Sequence, residues 1–165
     1  MPIRERGFTL LELLIVVAII GIIAAIAIPN MLTAIQKGRQ KGTMADMRSI
    51  ATAWEARAAE AQRYNAAGGF NGADTPVDLG DLQTMLEPTF IKKLPQSDAW
   101  GKPYAVFTDV GYGQPENAKK YAIISGGKDQ VISSQIFIGP FTSFDCDIIL
   151  SNGMFAAYPE GIQQQ

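Results

Sequence analysis

Few residues in this 165-residue chain have the types and spacing that chemistry requires. The chain has no histidine, which removes histidine-based triads, histidine metal sites and most proton switching near neutral pH. Ser125-Gly126-Gly127 matches neither the Gly-x-Ser-x-Gly nucleophile elbow nor a phosphate-binding P-loop. Asp145 and Asp147 could form a general acid–base pair, but the sequence offers them no base partner. We therefore expect no enzymatic activity.

The most unusual carboxylate is Glu12, which stands at the start of an apolar run. Sixteen consecutive uncharged residues follow it, from Leu13 to Ile28, and Pro29 closes the run. A helix over the 21 residues from Phe8 to Ile28 would be about 31 Å long, enough to cross the hydrocarbon core of a bilayer. A carboxylate in such a helix is costly unless it is paired or lies near the membrane surface.

The apolar run fits a cleaved signal peptide poorly. It exceeds the usual 7–15 apolar residues, and Pro29-Asn30 is not a small-residue cleavage site. Basic residues flank it on both sides, which leaves the orientation open under the positive-inside rule. These residues are Arg4 and Arg6 before the run, and Lys37, Arg39 and Lys41 behind it. On hydropathy alone, the segment is a single-span signal anchor with Glu12 at the level of the lipid headgroups.

The specific residues go further than hydropathy. The N-terminus resembles that of the type IV pilin and type II secretion pseudopilin superfamily over residues 4–60, through Gly7-Phe8-Thr9-Leu10-Leu11-Glu12 and the distal Pro29-Asn30. In that family a membrane prepilin peptidase cuts after the glycine and N-methylates the new terminus. The resemblance implies a leader peptide of residues 1–7, cleavage between Gly7 and Phe8, and methylation of Phe8.

The resemblance also gives Glu12 a role. In a filament built by stacking such helices, the terminal amine of Phe8 in one subunit can meet Glu12 of its neighbour. That pair would compensate the buried charge and set the axial register of the subunits. The alternative is that Glu12 lies only at the headgroup level.

The helical pattern continues beyond Pro29 with a changed character. Apolar residues then recur at helical spacing and form one stripe of an amphipathic helix. The stripe consists of Met47, Ile50, Ala51, Trp54, Ala58 and Ala61. We predict a single helix from Phe8 to Arg63, with a transmembrane or filament-core part at 8–29 and an amphipathic part at 30–64. Trp54 is expected to anchor the core of the head.

Residues 65–165 are predicted to form a globular head. Asp78 is a plausible N-cap for a short helix that ends before Glu87-Pro88. Strand-like runs separated by turn clusters follow it and indicate a small antiparallel sheet. These runs are Tyr104–Thr108, Tyr121–Ser125, Ile136–Ile138 and Phe144–Leu150. Packing of one sheet face on the Trp54 stripe gives an α+β architecture, the pilin fold.

A second resemblance lies in the head, over residues 90–130. Asp98-Ala99-Trp100-Gly101-Lys102-Pro103-Tyr104 and the loop from Ser125 to Asp129 are similar to elements of the major pseudopilin of type II secretion. Three departures stand out. Ala99 replaces the usual proline, Gln130 replaces the usual glycine, and a long segment follows Asp129 in place of a short tail.

The major pseudopilin binds calcium through acidic residues near this loop. The resemblance therefore implies a calcium site at Asp129, Asp145 and Asp147, with a main-chain oxygen from Ser125. Calcium prefers such mixtures of carboxylate and main-chain oxygens, and a single cysteine, Cys146, excludes an intramolecular disulfide staple. The alternative is that the three carboxylates are simply solvated.

The expected function is a structural subunit of a pilus-like filament, with the major pseudopilin of type II secretion as the leading subtype. The expected partners are other copies of the chain, the prepilin peptidase, minor pseudopilins and the inner-membrane assembly platform. The chain would sit in the bacterial inner membrane by one span, with its head in the periplasm. A net charge of −2 gives no indication of nucleic-acid binding. The alternatives are a type IV pilin for adhesion or motility and a signal-anchored soluble enzyme or binding protein.

Overall fold

The computed structural model describes residues 7–61, 75–108 and 120–164. Within these ranges the chain forms two helices and six strands. The elements are α1 (Leu10–Ala61), β1 (Thr75–Val77), α2 (Leu79–Leu86), β2 (Ala105–Thr108), β3 (Tyr121–Ser125), β4 (Gly139–Ser143), β5 (Ile148–Ser151) and β6 (Met154–Gln164). The chain divides into two compact units, Met1–Ile35 and Gln36–Gln165, and α1 contributes to both of them.

The long predicted helix is confirmed as α1. It runs for 52 residues from Leu10 to Ala61, with Pro29 inside it, and residues 62–63 of the prediction lie outside the described ranges. Proline removes one backbone donor from a helix, yet α1 is continuous through Pro29 and through Gly38 and Gly42.

The first unit consists of the apolar half of α1. Its large side chains are exposed throughout, from Leu10 at 87% to Ile28 at 58% and Ile35 at 41%. This helix contains the one segment among the described residues that is long and apolar enough to cross a membrane. Nothing inside its own unit covers its surface, so its natural surroundings are lipid or other protein chains.

The second unit is organised on the amphipathic half of α1. The predicted stripe is buried from Met47 to Ala58: Met47 and Ile50 are fully inaccessible, and Trp54 is 5% exposed. The side chain of Ala61 lies outside the described part. The indole of Trp54 lies against the ring of Tyr121 on β3, with ring centroids 4.7 Å apart. The predicted packing of helix against sheet is thus confirmed, and Trp54 is a core anchor.

Helix α2 begins where the sequence predicts. Asp78 is its N-cap, and Oδ1 of Asp78 accepts a hydrogen bond of 2.6 Å from the backbone N–H of Gly80. Such a cap satisfies a backbone donor that has no partner within the helix. Leu82 and Leu86 point from α2 into the core and are fully buried.

The sheet has the order β1-β2-β3-β5-β6-β4, with β3 and β5 near its centre. The predicted antiparallel arrangement is correct for all pairs except one, because β4 pairs parallel to β6. Side chains fasten this parallel pair. Nε2 of Gln163 donates to the carbonyl of Phe141 on β4 at 3.1 Å, and Oε1 of Gln163 accepts from buried Gln40 on α1 at 3.4 Å.

Two predicted strands need correction. Ile136–Ile138 is not a strand; β4 begins only at Gly139, where pairing with Ala157 starts, and the side chain of Phe137 remains 60% exposed. In the run Phe144–Leu150, strand structure begins at Ile148, because the preceding residues form a turn. A short apolar run becomes a strand only where a neighbouring backbone can pair with it.

The longest strand, β6, was not predicted. It is joined to β5 by the two-residue turn Asn152-Gly153, whose φ angles are 50° and 77°. Two left-handed residues in succession give the tight turn that matches the twist of a hairpin. The Asn-Gly pair was the sequence signal for this hairpin.

Candidate functional site

The N-terminal motif residues Gly7, Phe8 and Glu12 lie together around the start of α1. Thr9 precedes the helix and forms a capping box with Glu12. The backbone N–H of Thr9 donates to Oε2 of Glu12 at 2.9 Å, its hydroxyl donates to the same oxygen at 2.8 Å, and the backbone N–H of Glu12 donates to Oγ1 of Thr9 at 3.2 Å. Within one chain, the Glu12 carboxylate therefore already has hydrogen-bond donors.

The role of Thr9 was missing from the sequence prediction. The spacing Thr9-x-x-Glu12 is the capping-box pattern and could have revealed it. The consequence is an ordered helix start directly behind the predicted cleavage point. Gly7 and Phe8 stay outside the helix, and Phe8 is 74% exposed, so the Gly7–Phe8 peptide bond lies in an accessible, non-helical segment.

Polar side chains within the apolar half of α1 are bonded to their own helix. Nδ2 of Asn30 donates to the carbonyl of Ile26 at 3.1 Å, and the hydroxyl of Thr33 donates to the carbonyl of Pro29 at 3.1 Å. Polar groups in hydrocarbon must be satisfied from within the protein. These residues near Pro29 are therefore compatible with the end of a segment that lies in a non-aqueous environment.

The predicted metal ligands lie around the segment that connects β3 to β5. Asp147 is 9% exposed, and its Oδ2 accepts a bond of 2.8 Å from the backbone N–H of Ser133. Oδ1 of Asp129 accepts from the backbone N–H of Val131 at 3.0 Å. Asp145 is exposed, and its Oδ1 is 4.0 Å from Nζ of Lys128.

The charges of these carboxylates affect one another. Burial raises the pKa of Asp147, bonds from Ser133 oppose that rise, and the charge of Asp129 adds to it. Burial also raises the pKa of the Cys146 thiol, with smaller contributions from the charges of Asp147, Asp145 and Asp129. All three predicted carboxylates thus act electrostatically on the same thiol.

Ser125 has a different set of contacts. Its hydroxyl donates to Oδ2 of Asp98 at 2.6 Å and accepts from the backbone N–H of Gly127 at 3.3 Å. Asp98 is 5% exposed, and its Oδ1 also accepts from the backbone N–H groups of Trp100 and Lys102 at 3.0 and 2.9 Å. The structure therefore joins Ser125 to Asp98 rather than to the three other predicted ligands.

Asp98 is a structural centre that sequence reasoning did not single out. Its carboxylate closes the turn Asp98–Lys102, as aspartates do when they bond to backbone N–H groups a few residues ahead. Three hydrogen bonds compensate the burial of its charge. The spacing of Asp98 and Gly101 in a turn-forming segment was the available signal.

The fit of calcium to the acidic residues is partial. Oδ1 of Asp147 is buried and has no hydrogen-bond partner, as expected for an oxygen that faces a cation. The carbonyl oxygens of Phe144 and Cys146 crowd Gly127, where a Cβ would come within 2.8 and 2.7 Å of them. However, no group of three or more acidic or cysteine side chains in the described part of the chain is arranged to hold a metal. Main-chain oxygens would have to complete the coordination.

Comparisons with known proteins match both the N-terminal motif and most of the chain. The family model for the prokaryotic N-terminal methylation motif matches residues 3–28. The type II secretion system core protein G of Aeromonas hydrophila is 30% identical over 115 residues, which cover 67% of this chain and 78% of that protein. The protein of the same name from Klebsiella pneumoniae is 29% identical over 141 residues, covering 84% of this chain and 96% of the relative.

A type IV pilin matches a shorter part of the chain. The type IV major pilin protein PilA of Myxococcus xanthus is 47% identical over 62 residues, which are 38% of this chain and 28% of that protein. No solved structure is significantly similar to the chain.

Proposed function

Since the chain belongs to the family of type II secretion system core protein G, we propose that it is the major pseudopilin of such a system, a structural subunit that polymerises through α1. The observation that carries this proposal is the division of one helix between two environments. The half from Leu10 to Ile35 is apolar and exposed, whereas the half from Gln36 to Ala61 carries the core of a folded head. A membrane can hold the first half before assembly, and neighbouring helices can cover it afterwards.

Processing at Gly7–Phe8 is the first part of the proposal. The accessible position of this bond, just ahead of the capped helix start, supports it. Cleavage followed by methylation would leave Phe8 as the first residue. We expect the mass of the N-terminal peptide of protein purified from its native membranes to correspond to a chain that begins at methylated Phe8. A mass that retains residues 1–7 would favour a signal-anchored soluble protein instead.

Glu12 is proposed to pair with the Phe8 amine of a neighbouring subunit during assembly. The capping box allows this charge role to be separated from helix capping. Glu12→Gln keeps a side chain that can cap Thr9 but removes the charge, whereas Glu12→Ala removes both. If the charge matters, both variants should yield few filaments in cross-linking and electron microscopy. Normal filaments from Glu12→Gln, with loss only in Glu12→Ala, would assign Glu12 to capping alone.

The proposed location is the bacterial inner membrane, with the head in the periplasm. The expected partners are the prepilin peptidase, minor pseudopilins, the inner-membrane assembly platform and further copies of the chain. Orientation can be measured with exposed Ser134. Ser134→Cys in a Cys146→Ser background should react with a membrane-impermeant maleimide in intact spheroplasts. Labelling only after membrane lysis would place the head in the cytoplasm.

Secretion is favoured over a pilus role because the two core protein G relatives match 67% and 84% of this chain, whereas the type IV pilin matches 38% of it. Deletion of the gene should therefore abolish export of secreted proteins and leave surface motility intact. The opposite phenotype would support the type IV pilin alternative.

A calcium site at Asp129, Asp145 and Asp147 is proposed as a staple of the head. Its main support is the buried, unpartnered Oδ1 of Asp147. Calcium would supply positive charge to this oxygen, and main-chain oxygens would complete its shell. Ser125 is proposed to contribute a main-chain oxygen, a role that is separate from the hydrogen bond of its hydroxyl to Asp98.

Thermal melting of the full chain in detergent tests the site. Ligand linkage requires an ion that binds only the folded head to raise its melting temperature. At millimolar calcium we expect a higher midpoint than in chelator, and Asp147→Asn should abolish the shift. Asp145→Asn should only reduce the shift, since Asp145 is an exposed ligand that lies near Lys128. No shift in the unchanged protein would refute calcium binding.

In chelator, the raised pKa of Asp147 predicts a pH dependence. A carboxyl group whose pKa is higher in the folded than in the unfolded state contributes stability below its unfolded pKa, and that contribution is lost as pH rises through the folded pKa. Because burial raises the pKa of Asp147, the contribution of this carboxyl group to the stability of the unchanged head should be smaller at pH 7 than at pH 4. Asp147→Asn should remove this component when melting temperatures are compared between pH 4 and 7.

A further inference from the structure

Gln130 occupies a backbone position that disfavours side chains. Its φ angle is 60°, in the left-handed region where glycine is the usual residue. Its backbone N–H donates to the carbonyl of Gly127 at 3.3 Å, and its side chain reaches further: Nε2 donates to the carbonyl of Trp100 at 2.9 Å. A strained residue persists where its surroundings hold it, and here the amide of Gln130 joins two separate loops.

The turn Asp98–Lys102, called here the Trp100 turn, is itself attached to α1 at two points. The indole Nε1 of Trp100 donates to Oε1 of Gln36 at 2.8 Å. The backbone N–H of Ala99 donates to Oγ1 of Thr43, a fully buried residue, at 3.1 Å. Gln36 is the first residue of the second compact unit. The turn therefore bonds to the helix along the stretch where the head begins.

We infer that Gln130 is a positioning residue, which holds the loop 127–131 on the Trp100 turn and through that turn fixes α1 between Gln36 and Thr43. The contacts form a continuous series of hydrogen bonds, all of them within the second unit. A change in the loop, whether from an ion or from a neighbouring subunit, would then alter the order of α1 where the head begins. The inference goes beyond the proposed function and does not depend on a bound metal.

The residue type matters to this inference. Glycine at position 130 would fit the backbone but could not reach Trp100, so the loop would keep its shape and lose its attachment. The link is therefore a consequence of the glutamine that this chain carries. Similarly, phenylalanine at position 100 would keep an aromatic ring there, although a smaller one, and could not donate to Gln36.

Native-state hydrogen exchange of the full chain in detergent tests the link. One ordinary hydrogen bond changes an opening equilibrium about two- to tenfold. We therefore expect Gln130→Gly and Trp100→Phe each to accelerate exchange of the amides of residues 36–43 by about that factor. The double variant should show less than the product of the two single effects, because both act through the same turn.

Asn152→Gly is the matched control. Among the described residues, Asn152 is the other non-glycine residue with a positive φ. It lies in the β5–β6 turn, where its Oδ1 accepts a hydrogen bond of 3.1 Å from the backbone N–H of Tyr121. It should leave exchange at residues 36–43 unchanged. Three results would overturn the inference: faster exchange in Gln130→Gly confined to residues 127–131, equal acceleration in Asn152→Gly, or single effects that multiply fully.

Discussion

The two halves of α1 have the same helical backbone but differ in where their large apolar side chains lie. Between Leu10 and Ile35 large apolar residues occur on all sides and are exposed. Between Gln36 and Ala61 apolar residues are confined to one stripe, which the head buries, and exposed positions are mostly small or charged. The periodicity of a helix therefore reports its surroundings: a uniform apolar surface indicates a non-aqueous environment, and a stripe indicates a core beside water.

This difference also governs the polar residues. Thr33 in the first half bonds to its own helix, at the carbonyl of Pro29. Thr43 in the second half is buried and accepts a hydrogen bond from Ala99, outside the helix. The first of these bonds lies within α1, whereas the second joins α1 to the rest of the head. Matched substitutions in the two halves should give unequal effects.

The largest difference is expected for apolar truncation. Trp54→Ala removes the ring that packs on Tyr121 and should lower the free energy of unfolding of the head by about 3–5 kcal/mol. Ile23→Ala, at a side chain that is 61% exposed, should leave head unfolding unchanged. Urea unfolding in detergent, followed by tryptophan fluorescence, measures both; in Trp54→Ala the signal comes from Trp100. Equal effects would mean that the two halves unfold as one unit.

An intermediate difference is expected for the two threonines. Thr43→Val keeps the shape of the side chain but leaves the backbone N–H of Ala99 without its acceptor, at a cost of about 1–3 kcal/mol. Thr33→Val removes the bond to the carbonyl of Pro29 within the helix and should change head stability by less than about 0.5 kcal/mol. The same urea titration distinguishes them. A large effect of Thr33→Val would show that the stability of the head depends on the first half of α1.

The smallest difference is expected for glycine. A Cβ would meet no atom within 4 Å at Gly42 or at Gly21. Gly42→Ala should stabilise the head by about 0.5–1 kcal/mol, since alanine favours helix over glycine. Gly21→Ala should leave head unfolding unchanged. A destabilised Gly42→Ala head in differential scanning calorimetry would show that the open space at this position is needed.

The sequence predicts the helical part of the molecule well, because its signals are local. The stripe from Met47 to Trp54 and the Asp78 cap require only neighbouring residues, and both are confirmed. Strands β2 and β3 were also predicted close to their observed bounds. These runs have turns on both sides and dense β-branched or aromatic residues.

The errors arise where distant segments decide the outcome. The parallel pairing of β4 with β6 depends on residues such as Phe141 and Gln163, which are far apart in the chain and carry no common pattern. At the acidic loop, composition could identify Asp129, Asp145 and Asp147 but could not show that Ser125 bonds to Asp98. The positions of Gly7, Phe8 and Glu12 follow from a motif, whereas the hydrogen bonds between Thr9 and Glu12 follow from a capping-box spacing that the prediction did not use.

The strand order has a consequence for assembly. Within the described part of the chain, its outermost strands, β1 and β4, each have one edge without a neighbouring strand, and such an edge could extend the sheet into another molecule. Each of these strands contains a proline, Pro76 in β1 and Pro140 in β4. Proline offers no N–H for pairing, so both edge strands are poor templates for another chain. When many heads are crowded along a filament, this feature opposes amyloid-like joining of heads and leaves growth to the helices.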